Sequence, residues 1–255
     1  MNTDALDISI LGPALIAGIL VLATHVPLGR QVLARGIIFI DLAIAQAAGL
    51  GVIVAGTLGW DPHGVAAQAA AFAAAIAGAL FLAWTDSRHG KVQEAIIGVF
   101  FVLCATGSLL LLANNPHGGE ELKDLLVGQI LWVDIHNLLP AVIVSVVVLA
   151  AWFGWRSQRN RAGFYLLFAL SVTVSVQLVG IYLVFASLIV PAIATRTRPE
   201  KSGLVWAYSL GLAGYVIGLV GSALFDLPTG AVIVWSLALL AVLSGVLIRA
   251  PQPAA

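Results

Sequence analysis

The sequence predicts an all-α, polytopic bundle of eight or nine membrane-spanning helices. Three observations lead there. Of the 255 residues, 61% are hydrophobic and 9% are charged, against about 25% charged in an average soluble domain. The apolar residues run in unbroken stretches near the ~20 residues that a spanning helix needs, whereas barrel strands alternate over ~10. The basic residues are sorted between successive connections, as the positive-inside rule requires.

The expected spans are 8–26, 36–58, 64–84, 95–113, 137–155, 163–179, 181–195, 203–225 and 228–248, in one domain over residues 1–255. Residues 2–7 carry Asp4 and Asp7 and no basic residue, so 8–26 is expected as a retained span and not a cleaved signal. The third span is largely alanine. The segments 163–179 and 181–195 are short and separated only by Gly180. They read as two crossings, or as one crossing plus a broken half-helix. Residues 120–134 predict a short surface helix, with Leu122, Leu125, Leu126 and Ile130 on one face. In the eighth span, Gly211, Gly214, Gly218 and Gly221 share a helix face, where small residues let backbones approach.

With nine crossings and the N-terminus outside, the clusters Arg30/Arg35, Arg88/Lys91, Arg156/Arg159/Arg161, Arg196/Arg198/Lys201 and Arg249 all fall on the cytoplasmic side. Of the 12 basic residues only Lys123 does not. Trp60, Trp84, Trp132, Trp155 and Trp206 fall near expected interfaces, where amphipathic rings settle. Zero net charge gives no reason to expect a nucleic-acid partner. The single Cys104 excludes an intramolecular disulfide and a Cys-based zinc site. No G-x-x-x-x-G-K-[ST] loop occurs, so ATP hydrolysis by this chain is not expected, and no G-x-S-x-G elbow occurs either. The chain is not expected to be an enzyme or to bind a cofactor.

Polar residues inside apolar spans carry the functional information. Asp41 is the acidic residue placed well inside a span, with Gln46 in the same helix and Gln177 late in the sixth. Asp41 reads either as a carboxylate lining a cation path or as the ion-pair partner of Arg35. Gln46 and Gln177 read as interhelical hydrogen bonds or as path residues. His25 and His89 lie near cytoplasmic ends, and His63, His117 and His136 outside. The external set, with Asp61, Glu120 and Glu121, reads as loop residues or as a receiving surface for a cation or a delivery protein.

Five segments resemble the permeases of zinc- and manganese-type ATP-binding-cassette importers. They are Arg35–Asp41 running on to Gln46–Gly51; Glu94-Ala95-Ile96-Ile97-Gly98; Leu125-Leu126-Val127-Gly128-Gln129-Ile130-Leu131; Val179–Val184 through Leu188–Thr195; and Leu227-Pro228-Thr229-Gly230-Ala231. They occur in the family's order over about residues 30–235. The resemblance implies a permease for a divalent metal ion as substrate, in the bacterial cytoplasmic (inner) membrane and surrounded by lipid. It implies two permease copies around one pore, a cytoplasmic ATPase that uses the ATP, and an extracytoplasmic metal-binding protein. Thr195, Arg196, Arg198 and Lys201, in the loop after Pro191, would contact the ATPase. Asp41 and Gln46 would line the path. The competing readings are a permease for siderophore or cobalamin chelates and an ATP-independent ion transporter.

One departure stands out. The family's second helix carries Asp and His four apart; here no His is present, and Gln46 lies five after Asp41. Five residues leave two side chains ~140° apart on a regular helix. A one-residue π-bulge would return both to one face, and is the expectation to test. Glutamine's neutral oxygen also makes a harder, less zinc-like ligand than histidine.

Overall fold

The computed structural model describes residues 7–61, 64–133, 135–154 and 160–247. Within them the chain is all-α: α1 (Ile8–Arg35), α2 (Ile40–Thr57), α3 (Val65–His89), α4 (Gln93–Leu112), α5 (Gly118–Val127), α6 (Ile135–Gly154), α7 (Arg161–Val179), α8 (Ile181–Ala194), α9 (Glu200–Phe225) and α10 (Thr229–Leu247). A 3-10 turn joins α3 to α4 and another, Ile130–Trp132, follows α5. All but α5 are apolar helices of a polytopic membrane bundle. Trp60, Trp84, Trp132 and Trp206 are exposed, as expected of interfacial rings; Trp155 lies outside the described residues.

The first span is longer than 8–26. α1 has 28 residues, about 42 Å at 1.5 Å per residue, and passes through Pro27. A proline within a helix frees the carbonyl four residues earlier, here Ala23. In lipid such a group must find a partner inside the protein. Tyr208 of α9 supplies it, its hydroxyl donating to Ala23 O at 3.0 Å. Tyr208→Phe is therefore expected to destabilise the protein by ~0.6–1.7 kcal/mol, the range of hydrogen bonds within membrane bundles. A thermal midpoint in detergent that does not move would show that Pro27 needs no such partner.

α1 ends where Gly36 turns left-handed (φ 68°), so the second span begins at Ile40, not 36. Asp7 caps the other end of α1, accepting from Ser9 N–H at 2.8 Å. α8 has 14 residues, about 21 Å. It is buried along nearly its whole length and packs on α1 and α10, while α7 packs on α3 and α2. The glycine face of α9 meets two neighbours. A Cβ on Gly211 would press on Leu22 of α1, and one on Gly218 on Ile233 of α10.

The short surface helix expected over 120–134 is α5, which covers only Gly118–Val127 and leaves Glu120, Glu121, Lys123 and Asp124 exposed. α5 stops at Val127, Gly128 adopts φ 70°, and the 3-10 turn buries Ile130. The apolar face of α5 is turned into the bundle: Leu125 lies against Gly49 in the middle of α2.

Candidate functional site

Asp41 is the second residue of α2, and Gln46 lies just over a turn further on. Asp41 is fully buried (0% exposed) and Gln46 nearly so (5%). Neither carboxylate oxygen of Asp41 has a hydrogen-bond partner. Arg35 is turned elsewhere, its guanidinium 4.2 Å over the ring of Phe164. A buried, ionised carboxylate without a donor costs several kcal/mol, so Asp41 is a group that a cation would stabilise. The π-bulge does not form: α2 is regular α-helix from Ile40 to Thr57. Asp41 and Gln46 thus stand ~140° apart around the helix. Among the described residues no group of three or more His, Cys, Asp and Glu side chains is gathered to hold a metal.

The start of α2 is fixed from outside. Phe39, its N-terminal flanking residue, has no side-chain cap of its own, and its N–H donates to Glu94 Oε1 at 3.2 Å. Glu94 belongs to the first turn of α4, so one external carboxylate anchors the turn that carries Asp41.

At the opposite end of the bundle, backbones cross without side chains between them. Gly128 (φ 70°) lies on Val179–Gly180, and Gly180 (φ 81°) lies on Val127–Gly128. A Cβ on Gly180 would sit 2.6 Å from Gly128 Cα and Val127 C, and one on Gly230 would sit 2.7 Å from Val127 O. Three sequence segments far apart in the chain therefore meet around Leu125–Gly128: the second helix at Gly49, the α7–α8 break at Gly180, and the turn into α10 at Gly230.

The basic residues gather at the other end. Arg161 pairs with Asp86 at 3.6 Å and also donates to its carbonyl. Gln93 donates to Leu82 O at 2.9 Å and to the Tyr165 hydroxyl at 3.2 Å. Arg30 Nη1 donates to Thr195 O at 3.2 Å and to Thr195 Oγ1 at 3.1 Å, and Nη2 donates to Arg198 O at 3.3 Å. Of the four loop residues singled out from sequence, Thr195 is buried and its hydroxyl donates to Pro191 O at 2.8 Å. Arg198 stacks 4.5 Å over Trp206. Arg196 and Lys201 are exposed. The sorting of charge by connection thus reappears as spatial clustering; Arg156, Arg159 and Arg249 lie outside the described residues.

This arrangement of helices can be compared with known proteins. A family model described as the ABC 3 transport family matches residues 7–158 and 150–248. The chain belongs to the ABC 3 transport family. Proteins similar to it include the high-affinity zinc uptake system membrane protein ZnuB of Haemophilus influenzae, 25% identical over 92% of this chain and 96% of that one. The manganese transport system membrane protein MntC of Listeria monocytogenes is 26% identical over 89% and 86%. Among solved structures, PsaBC from Streptococcus pneumoniae in complex with Fab shares the fold, with a TM-score of 0.77 and 21% identity over 98% of this chain and 97% of that one.

Within this ABC 3 chain, several contacts were not legible in the sequence. His25 reads as a residue near a helix end, yet it is fully buried in α1 because that helix continues past Pro27. Its Nδ1 lies 3.0 Å from Val21 O and from Thr24 Oγ1. Arg30 reads as one more positive-inside residue, and its partners stand 165 and 168 positions away. Gln177, expected in an interhelical bond, is exposed on the surface of the single chain, in a stretch of α7 that is otherwise almost wholly buried. Of the external polar set, His117 Nδ1 lies 3.5 Å from Glu120 and Asn115 donates to Glu121 at 2.8 Å. His63 and the side chain of His136 lie outside the described residues.

Proposed function

We propose that this chain is the permease subunit of an ATP-driven importer for a divalent metal ion, in a bacterial cytoplasmic membrane. The observation that carries the reading is Asp41: a fully buried carboxylate with no protein partner on either oxygen, in a transport-family bundle. We assign Asp41 to the cation path. Gln46, on another side of α2, contributes to it separately and not as a joint ligand. The zinc and manganese systems named for its relatives support a divalent cation as substrate, and the lack of the second-helix histidine favours a harder ion than zinc.

Energy comes from a separate cytoplasmic ATPase, since the sequence holds no phosphate-binding loop. The exposed Arg196 and Lys201, beside Thr195 and Arg198, supply its contact. An external binding protein delivers the ion. A second copy of the chain completes the pore. Gln177 supports this last assignment: an amide at membrane depth is costly against lipid, so the surface that exposes it faces protein or the path. The test is uptake into vesicles by the purified permease with its ATPase and binding protein. Uptake should require ATP and the ATPase, and should saturate with a divalent cation. Full uptake by the permease alone would favour an ATP-independent transporter instead.

A further inference from the structure

We infer that Arg30 is a positioning residue for energy coupling: bedded on the bare backbone of Gly203, it holds the 195–198 loop in the shape that the ATPase engages. The inference rests on the importer reading above and adds to it a residue outside the loop.

The geometry is specific. Arg30 reaches from the last turns of α1 to both ends of the loop, bonding Thr195 at its start and Arg198 at its end. Thr195 is the residue that caps the C-terminus of α8, where unpaired carbonyls and the helix dipole favour a cation. Three charge-assisted bonds to two residues from one planar guanidinium fix direction as well as distance. The seat of that guanidinium is an absence. A Cβ on Gly203 would clash with Arg30 Nη1 and sit 2.8 Å from its Cζ. Glycine within a helix costs roughly 0.5–1 kcal/mol relative to alanine, and Gly203 lies in α9, so the position is kept small at a cost to the helix.

Two neighbours make the clamp stiff. One residue before Arg30, Gly29 packs against the carbonyl of Leu188, so that α1 and α8 touch backbone to backbone. On the far side, the stacking of Arg198 on Trp206 ties the loop to α9. What remains exposed are the charges of Arg196, on the clamped loop, and of Lys201, in the first turn of α9. A force applied there is therefore delivered to α1, α8 and α9 together.

The experiment uses the reconstituted complex of permease, ATPase and binding protein in vesicles, comparing wild type with Arg30→Gln, Arg30→Lys, Gly203→Ala and the Arg30→Gln/Gly203→Ala double variant. It reads ATP hydrolysis with and without loaded binding protein, ion uptake, and the thermal midpoint of the permease alone. Arg30→Gln should reduce binding-protein-stimulated hydrolysis and uptake about tenfold, the equivalent of ~1.4 kcal/mol. Arg30→Lys should recover part of this, since an ammonium reaches one carbonyl but does not span two residues. Gly203→Ala should reproduce the loss with Arg30 still present, while the thermal midpoint stays the same or rises, because alanine is the better helix former. The double variant should be no worse than Arg30→Gln, the non-additivity of two changes acting on one contact. Full coupling in Gly203→Ala, or losses that multiply in the double variant, would overturn the inference while leaving the importer reading intact. Wild-type uptake without any ATPase would overturn both.

Discussion

Gly180→Ala is expected to prevent recovery of folded, monodisperse protein. Gly180 sits at φ 81° and ψ 163°, a region that essentially only glycine occupies, and forcing another residue there costs about 1–3 kcal/mol. The added methyl group has no room, because it would lie within 2.6 Å of three backbone atoms of Val127–Gly128. Side chains can swing away from an intruder, but these are main-chain atoms. Gly128 itself is held at φ 70° with Val179 and Gly180 against it. Overpacking a tight site adds a further ~1–3 kcal/mol, against a net stability of roughly 5–15 kcal/mol for a folded domain. The comparison is Gly98→Ala in α4, where a Cβ would meet nothing within 4 Å and better helix propensity should leave stability unchanged or slightly higher. Size-exclusion profiles and thermal midpoints of the two proteins, purified side by side, decide the matter. If Gly180→Ala elutes and melts like Gly98→Ala, the two backbones do not cross as closely as described.

Asp41→Asn should have the opposite character, leaving the fold and removing the activity. Its carboxylate takes no hydrogen bond from the protein, so the nearly isosteric amide breaks no internal contact, and a neutral group is cheaper to bury than a charged one. The variant should express normally and melt no lower than wild type, while ATP-dependent cation uptake falls at least tenfold, about 1.4 kcal/mol of lost ion stabilisation. Gln46→His is the companion. On an unbroken α-helix the new imidazole still stands ~140° from Asp41, so metal preference should shift little. A strong shift toward zinc would show that α2 bulges during transport. Wild-type uptake by well-folded Asp41→Asn protein would remove Asp41 from the path.

Much of the architecture was legible because a bilayer leaves few choices. Long apolar runs must be helices, and the charge between them marks their ends. The boundaries failed where the deciding partner was remote. The expected first span ends at 26, yet α1 runs on through Pro27, with the Tyr208 hydroxyl on Ala23 O. The start of α2 was placed at Gly36, and its true position depends on a left-handed turn and on Glu94 holding Phe39 N–H. The periodicity of α5 correctly gave one apolar face, but periodicity does not say whether that face meets lipid headgroups or the middle of α2. At the candidate site, residue type pointed to Asp41, since few carboxylates stand in a span without reason. The regularity of α2 around Gln46 had no such signal, because bulged and regular helices use the same residues.

The hydroxyl of Tyr208 has a further consequence, in time. It stands 185 residues after the carbonyl it satisfies, and ribosomes add about 5–20 residues per second. For ~10–40 s of synthesis, then, α1 holds an open carbonyl at Ala23. Over nearly the same interval Arg30 waits for Thr195, 165 residues downstream. α1 is thus completed long after it is made, and must be sheltered by lipid headgroups, water or an insertion partner until α8 and α9 arrive.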